Sequence, residues 1–385
     1  MRALLVDTGF SAEPLLHAAT AAGFDVSVVG NRPDDVLTHI ASDYIQSDYS
    51  RTPLLRKSFV ESHSDALIPG CTDISYLSSS SLRDEPGVRN IDSFDQSQMI
   101  FDKAKFRSLC HELDVPSPQS YENLEAIEVG SKVIVKPVDA YSGRGISVIH
   151  FNDEAELARA VSHAKASSPS NSFLVEDFVE GYLYSSSLFM KRGKVARAFL
   201  VEEHCCSGSY SVSLSRVIDD TPGSKRREVE AAMELISQHL DLCDGLMHVQ
   251  WIEGPDGFKL IELTRRCPGD LYARLIELST GFDYAGAYVA PFLGQSLSRQ
   301  ATTEDSIPNT LRVTVKGPPK SMLTQLEISD SHRVVEYYPL INIGEEIDES
   351  GRVGILFLAL DATYHSKALG EGWEDSLYEV SSVKP

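Results

Sequence analysis

The stretch Lys132–Gly145, KVIVKPVDAYSGRG, constrains the fold more than any other part of the chain. Val133, Ile134, Val135 and Val138 give it strand character, and a small Gly-rich loop follows. Side chains alternate along a strand, so Lys136 shares a face with Ile134 and Val138. An ammonium among apolar neighbours needs a partner, because an unpaired buried charge is costly. Ser142, Gly143 and Gly145 can turn backbone N–H groups toward a phosphate without side-chain obstruction. The stretch reads either as a nucleotide-phosphate cradle or as a surface hairpin with a solvated lysine.

Upstream, ALLVD at 3–7, a loop with Gly9 and Ser11, a helix over 13–22 and FDVSVVG at 24–30 make a β-α-β unit. A right-handed crossover of this kind seeds a parallel sheet. Its loop, DTGFSAEP, lacks the three spaced glycines of a dinucleotide fingerprint, so no NAD site is placed there. Further strands are expected at Tyr44–Ile45 and Ala66–Ile68, and SYLSSSSL at 75–82 reads as helix or loop. Residues 102–113, DKAKFRSLCHEL, form an amphipathic helix whose stripe is Phe106, Leu109, Cys110 and Leu113. Lys103 borders that stripe and could simply snorkel from it. The prolines of VPSP at 115–118 end the helix.

Downstream, Asp153 and Glu156 open another helix in the manner of a capping box. FLVEDFVEG at 173–181 is a strand entering a turn, and SSLFM, KRGK and VARAFLVEE form a hairpin. HCCSGSYS at 204–211 is a small polar loop, and a helix covers 225–241. In GLMHVQWIEGPDGFKLIELTRRCPGD, residues 245–270, two strands flank the turn signal GPDG. Met247, Val249 and Trp251 share the core face with Ile261 and Leu263. A register pairing Gln250 with Glu262 brings His248 opposite Thr264, giving one face of oxygen and nitrogen ligands. Hard oxygens near a phosphate cradle suit Mg²⁺, although Glu262 beside Arg265 and Arg266 also reads as an ion pair. Residues 301–385 read as a β-rich unit without a catalytic motif.

The 385 residues suffice for two to four structural units. Asp and Glu outnumber Lys and Arg by 56 to 35, a net charge of −21. That argues against general nucleic-acid or anionic-membrane binding, while leaving room for a local basic pocket. The six cysteines lack C-x-x-C spacing, which disfavours zinc. MRALLVDTG reads as a strand rather than a signal peptide, and no apolar run has the length of a membrane span, so a cytoplasmic location is expected.

In this order, DKAKFRSLCHELDVPSP, VIVKPVDAYSGRG, LVEDFVEG, HVQWIEG and LIELTRRCPGD resemble the ATP-grasp superfamily, in particular its carboxylate–amine ligases of the L-amino acid ligase type. The resemblance covers about residues 1–300. It implies an α/β and α+β fold: an N-terminal parallel α/β domain (1–98), a linker helix and small lid subdomain (99–200), a central antiparallel-sheet catalytic subdomain (201–300) and a C-terminal β-rich segment (301–385). It implies that Lys103 and Lys136 contact ATP phosphates and that the loop of Ser142, Gly143 and Gly145 closes over them. Glu176 would meet the adenine amino group, with the backbone of Phe178 and Val179 on the ring edge. Glu262, with Gln250 and Thr264, would hold Mg²⁺, for which Mn²⁺ could substitute. Arg266 and Lys136 would be catalytic, Arg266 at the transferred phosphate or the acyl phosphate. His248 is either a structural histidine or a helper in deprotonating the amine. Ser207, Gly208 and Arg274 are assigned to substrate contact, Arg274 alternatively to an i,i+4 pair with Asp270.

Three positions depart from the family pattern. Leu183 replaces a ribose-binding Glu, Gln250 a metal carboxylate, and Thr264 an Asn. The partners implied are a small-molecule carboxylate and an amine, with no nucleic acid and no membrane; the resemblance also admits a homodimer. The expected reaction is ADP-forming amide or peptide bond synthesis. The alternatives are a purine-biosynthesis-like enzyme using bicarbonate or formate, and an ATP-binding regulatory protein that has lost catalysis.

Overall fold

The computed structural model describes residues 1–139, 143–206, 210–218, 225–296, 306–329, 332–360 and 376–384. The chain forms two units, one of residues 1–200, 220–269 and 285–298, the other of 201–219, 270–284 and 299–385.

The first unit begins with a parallel sheet of β1 (Arg2–Val6), β2 (Asp25–Gly30), β3 (Asp43–Gln46) and β4 (Ala66–Pro69), in the order β3-β2-β1-β4. Helices α1 (Glu13–Ala21), α2 (Leu37–Ile40) and α3 (Thr52–Glu61) connect these strands. Ala3 to Val6 and Ala66 to Ile68 are wholly buried, as a sheet covered on both faces demands. The strand order reverses between β1 and β4, where Asp7 accepts hydrogen bonds from the N–H groups of Gly9 (2.9 Å) and Cys71 (2.8 Å). Helix α4 (Asp73–Ser80) starts at this reversal, with the Thr72 hydroxyl accepting from the Ser75 N–H at 3.1 Å. The serine-rich run can be buried in a helix because its hydroxyls are satisfied by carbonyls one turn back: Ser75 Oγ donates to Thr72 O and Ser79 Oγ to Ser75 O, both at 2.7 Å.

Helices α5 (Phe94–Phe101) and α6 (Lys103–Glu112) follow. The Asp102 carboxylate caps α6 by accepting from the N–H groups of Ala104 and Lys105. Helix α6 buries Phe106, Leu109 and Cys110, as the periodicity predicts, and Arg107 with them. A small antiparallel sheet, β6-β5-β7, consists of β5 (Lys132–Pro137), β6 (Ser147–His150) and β7 (Phe173–Asp177). Helix α7 (Glu154–Ser167) packs on it around Val133, Val135, Leu157, Ala160 and Val175. Strand alternation therefore sends Ile134 and Lys136 to the opposite face.

Strands β8 (Tyr182–Lys191), β9 (Lys194–Cys205) and β10 (Val212–Ile218) precede helix α8 (Arg226–His239) and the hairpin of β11 (Gly245–Gly254) and β12 (Gly257–Thr264). In the first unit β11 pairs antiparallel with both β8 and β12. In the second unit, which also holds α9 (Tyr272–Thr280), β10 pairs with β13 (Thr310–Lys316). The C-terminal strands are β14 (Ser321–Ile328), β15 (Arg333–Pro339), β16 (Glu346–Ile347), β17 (Arg352–Ala359) and β18 (Tyr378–Val383). Strand β17 lies between β13 and β15, and β14 between β16 and β18. Leu214, Leu311, Val313, Leu356 and Leu358 share the core of this unit. Among the described residues no helix is long and apolar enough to cross a membrane.

The two consecutive arginines after β12 part company. Arg265 is 3 % exposed and Asp92 is fully buried; Arg265 Nε donates to Asp92 at 2.6 Å. Its two Nη groups donate to the carbonyls of Leu246 and Cys243. Asp92 also accepts from Tyr76 Oη (2.8 Å) and the Cys243 N–H (2.7 Å). Removing one member of such a pair strands a buried charge, so Arg265→Met is expected to destabilise the fold by about 3–5 kcal/mol. Urea denaturation measures this, and a loss below about 1 kcal/mol would show the pair to be dispensable.

Candidate active site

The polar faces of β5, β7, β11 and β12, with α6, bring Lys103, Lys136, Glu176, Glu262 and Arg266 together, and Arg107 with them. Lys136 is 6 % exposed and Glu176, on β7, 1 %. Strand β5 pairs with β7 so that Ile134 faces Glu176, which carries the carboxylate beside the next same-face residue, Lys136. Lys136 Nζ meets Glu176 Oε2 at 2.5 Å, and Arg107 Nε meets Oε1 at 2.5 Å. Burial pushes the Lys136 ammonium pKa down, and the Glu176 carboxylate only partly offsets it. Burial pushes Glu176 up, but the Lys136 and Arg107 cations outweigh it and hold the carboxyl below its ordinary range. The partner that Lys136 requires is thus a carboxylate 40 positions downstream. Sequence reasoning assigned Glu176 to adenine, whereas both its oxygens are engaged by cations.

Gly143 and Gly145 have φ of 71° and 74°, the left-handed region that glycine enters at little cost. A Cβ on Gly145 would lie 2.5 Å from Ser167 Cβ, so α7 also requires glycine there. Ser142, Ser207 and Gly208 lie outside the described residues. The Phe178 N–H donates to Lys132 O at 2.9 Å, and the Lys132 ammonium lies 4.3 Å from the centre of the Phe178 ring. That N–H is therefore committed within the protein, while Val179 follows in the turn before β8.

The hairpin has the expected pairing, Gln250 with Glu262 and His248 with Thr264. A β-bulge then intervenes, and Trp251 faces Leu260. Leu260, not Ile261, fills the core, because the bulge inserts one residue and shifts the alternation. The displaced Ile261 carbonyl accepts Arg107 Nη2 at 2.7 Å. Glu262 is surrounded by cations: Lys103 chiefly lowers its pKa, which burial opposes, and Arg266, Lys136 and Arg107 add to the lowering.

Arg266 Nε donates to Asp73 Oδ1 at 2.6 Å, a residue that motif reading missed. Thr264 Oγ1 lies 3.5 Å from the same oxygen and also accepts the Arg266 N–H at 3.3 Å. Asp73 is the first residue of α4, so the only advance signal was its position just after a strand at the reversal of a parallel sheet. His248 is buried, with Nδ1 3.0 Å from Ser187 Oγ. Burial and Arg266 push its pKa down to about 3, so the ring is neutral at physiological pH and a weak base. In the second unit, Arg274 pairs with Glu336 (2.9 Å) and Glu277 (3.6 Å). The alternative i,i+4 pair with Asp270 does not form, because Asp270 pairs with Arg352 and Arg312.

Gln250, Glu262 and Thr264 offer an amide oxygen, a carboxylate and a hydroxyl, all hard donors of the type Mg²⁺ takes. Among the described residues no group of three His, Cys, Asp or Glu side chains could hold a metal ion. This donor set fits Mg²⁺ when phosphate oxygens complete its shell, since four cations already surround the one carboxylate.

The family description "ATP-grasp domain" matches residues 100–267. The structure superposes on phosphoribosylglycinamide synthetase from Anaerococcus prevotii with a TM-score of 0.74 at 18% identity, covering 100% of this chain and 99% of that one. It superposes on L-amino acid ligase from Bacillus licheniformis with a TM-score of 0.76 at 14% identity, covering 100% and 98%. In sequence, 86 residues are 35% identical to the carbamoyl phosphate synthase large chain of Methanosarcina mazei. That match spans 20% of this chain and only 8% of the relative. At these identities the structural likeness carries the fold.

Proposed function

Because residues 100–267 are an ATP-grasp domain, we propose that the protein is an ATP-dependent ligase that activates a small-molecule carboxylate and joins it to an amine, with ADP and phosphate released. Amino acids are the favoured substrates. The observation that carries this reading is the assembly of Lys103, Lys136, Arg107 and Arg266 around Glu262 on one polar face. A triphosphate supplies the negative charge that such a cluster lacks.

The chemistry follows from the charges. Phosphoryl transfer depends on positioning and charge neutralisation more than on covalent participation by the protein. Lys136 and Lys103 neutralise phosphate oxygens, which lowers the repulsion met by an attacking carboxylate. Glu262, Gln250 and Thr264 would hold Mg²⁺, which supplies further neutralisation of the phosphates when bound. Arg266, steadied by Asp73, takes the developing charge of the acyl phosphate and then of the tetrahedral adduct with the amine. The loop of Gly143 and Gly145 shields the acyl phosphate from water. With a pKa of about 3, His248 serves as a hydrogen-bonding group rather than as the base for the amine.

The test is ADP release with ATP, Mg²⁺ and a panel of amino acids, with product mass measured alongside. Turnover that needs both a carboxylate and an amine, with a condensed product, is expected. Intact ATP binding without turnover on any carboxylate would support the regulatory reading, which Leu183, Gln250 and Thr264 favour. Turnover restricted to bicarbonate or formate would support the purine-type reading.

A further inference from the structure

We propose that Arg107 is a positioning residue of the nucleotide site, sharing the Glu176 carboxylate so that the Lys136 ammonium stays available to phosphate. This rests on the reading of the Lys136 cluster as the phosphate site. Arg107 lies within DKAKFRSLCHELDVPSP, but no role falls to it there; it reads as an interior residue of an amphipathic helix.

The geometry divides Glu176 between two cations, Oε1 to Arg107 Nε and Oε2 to Lys136 Nζ, each at 2.5 Å. Two cations and one carboxylate leave the triad with one net positive charge. Without Arg107, Lys136 and Glu176 would form a neutral, closed pair, and the ammonium would lose much of its attraction for a polyanion. The β-bulge on β12 fixes the guanidinium from a second side, through the Ile261 carbonyl at 2.7 Å. Arg107 is 4 % exposed, yet its Nη1 is buried without a partner. A buried charged donor left unpaired is costly, and an anionic ligand in this cluster is the natural way to relieve it.

Three variants test the role: Arg107→Met, Arg107→Lys and the double variant Arg107→Met/Glu176→Gln. ATP affinity is measured by calorimetry, adenosine affinity by competition with a fluorescent ATP analogue, and folding by thermal unfolding. Arg107→Met is expected to weaken ATP binding about 10- to 100-fold, the effect of one charged hydrogen bond, with adenosine affinity unchanged. Arg107→Lys should recover most of that loss. The double variant, which restores the net charge of the triad, should bind ATP at least about fivefold more tightly than Arg107→Met, in keeping with a strongly coupled pair. Equal losses for ATP and adenosine, unchanged ATP affinity in Arg107→Met, or a double variant no better than the single would overturn the proposal. Wild-type protein that binds no ATP would instead remove the nucleotide reading on which it rests.

Discussion

Lys136→Met should lower kcat/KM for ATP by about 100- to 1000-fold, taking as guide the cost of removing one preorganised donor from a developing oxyanion. The expectation follows from the burial of Lys136 beside Glu176. In that setting the ammonium is poorly screened, so its field acts strongly on any phosphate brought near. Methionine keeps most of the side-chain volume, and Arg107 remains to compensate Glu176. The variant should therefore fold, and the loss should appear in ADP release rather than in thermal stability. ATP affinity and turnover equal to wild type would mean that the cluster is not a phosphate site.

Glu262→Gln is expected to cost about 100-fold in kcat and to raise the Mg²⁺ concentration needed for half-maximal rate. Glu262 provides the only negative charge of the Gln250, Glu262 and Thr264 donor set. Its carboxyl is held below the ordinary range, first by Lys103, so it is fully ionised at neutral pH. Replacing it with an amide leaves three neutral oxygens among four cations, a poor site for a divalent ion even with phosphates present. Initial rates across a Mg²⁺ titration measure the effect. A lower kcat with an unchanged Mg²⁺ dependence would assign Glu262 to charge balance of the cations rather than to the metal.

Most of the architecture was legible in local pattern. The apolar run in FDVSVVG, the amphipathic stripe of α6 and the GPDG turn each give their element, because a strand covered on both faces reads as apolar and a half-buried helix keeps a period of 3.6. The hairpin register was legible as far as Gln250 and Glu262. The bulge that follows was not, since either Leu260 or Ile261 satisfies an apolar core position. The site was legible in part. Lys136 announced its need for a partner, but Glu176 reaches it across a sheet pairing that sequence spacing does not encode. Arg107 was hidden because one buried cation in an otherwise good helix looks like a solvated face. Asp73 was hidden because its link to Arg266 joins residues 193 positions apart. Arg265 and Arg266 are neighbours in sequence, yet the first is locked to Asp92 and the second turns to Asp73. Only the fold distinguishes the structural arginine from the one at the site.

The central claim is that a carboxylate attacks the terminal phosphate of ATP, releasing ADP, and that an amine then attacks the acyl carbon of the resulting acyl phosphate and displaces phosphate. Oxygen tracing tests it most directly. The carboxylate substrate is labelled with ¹⁸O, and the phosphate released during turnover is analysed by mass spectrometry. An acyl phosphate route transfers one labelled oxygen from each carboxylate to phosphate, in step with product. Phosphate free of label, formed at the same rate as product, would contradict that route.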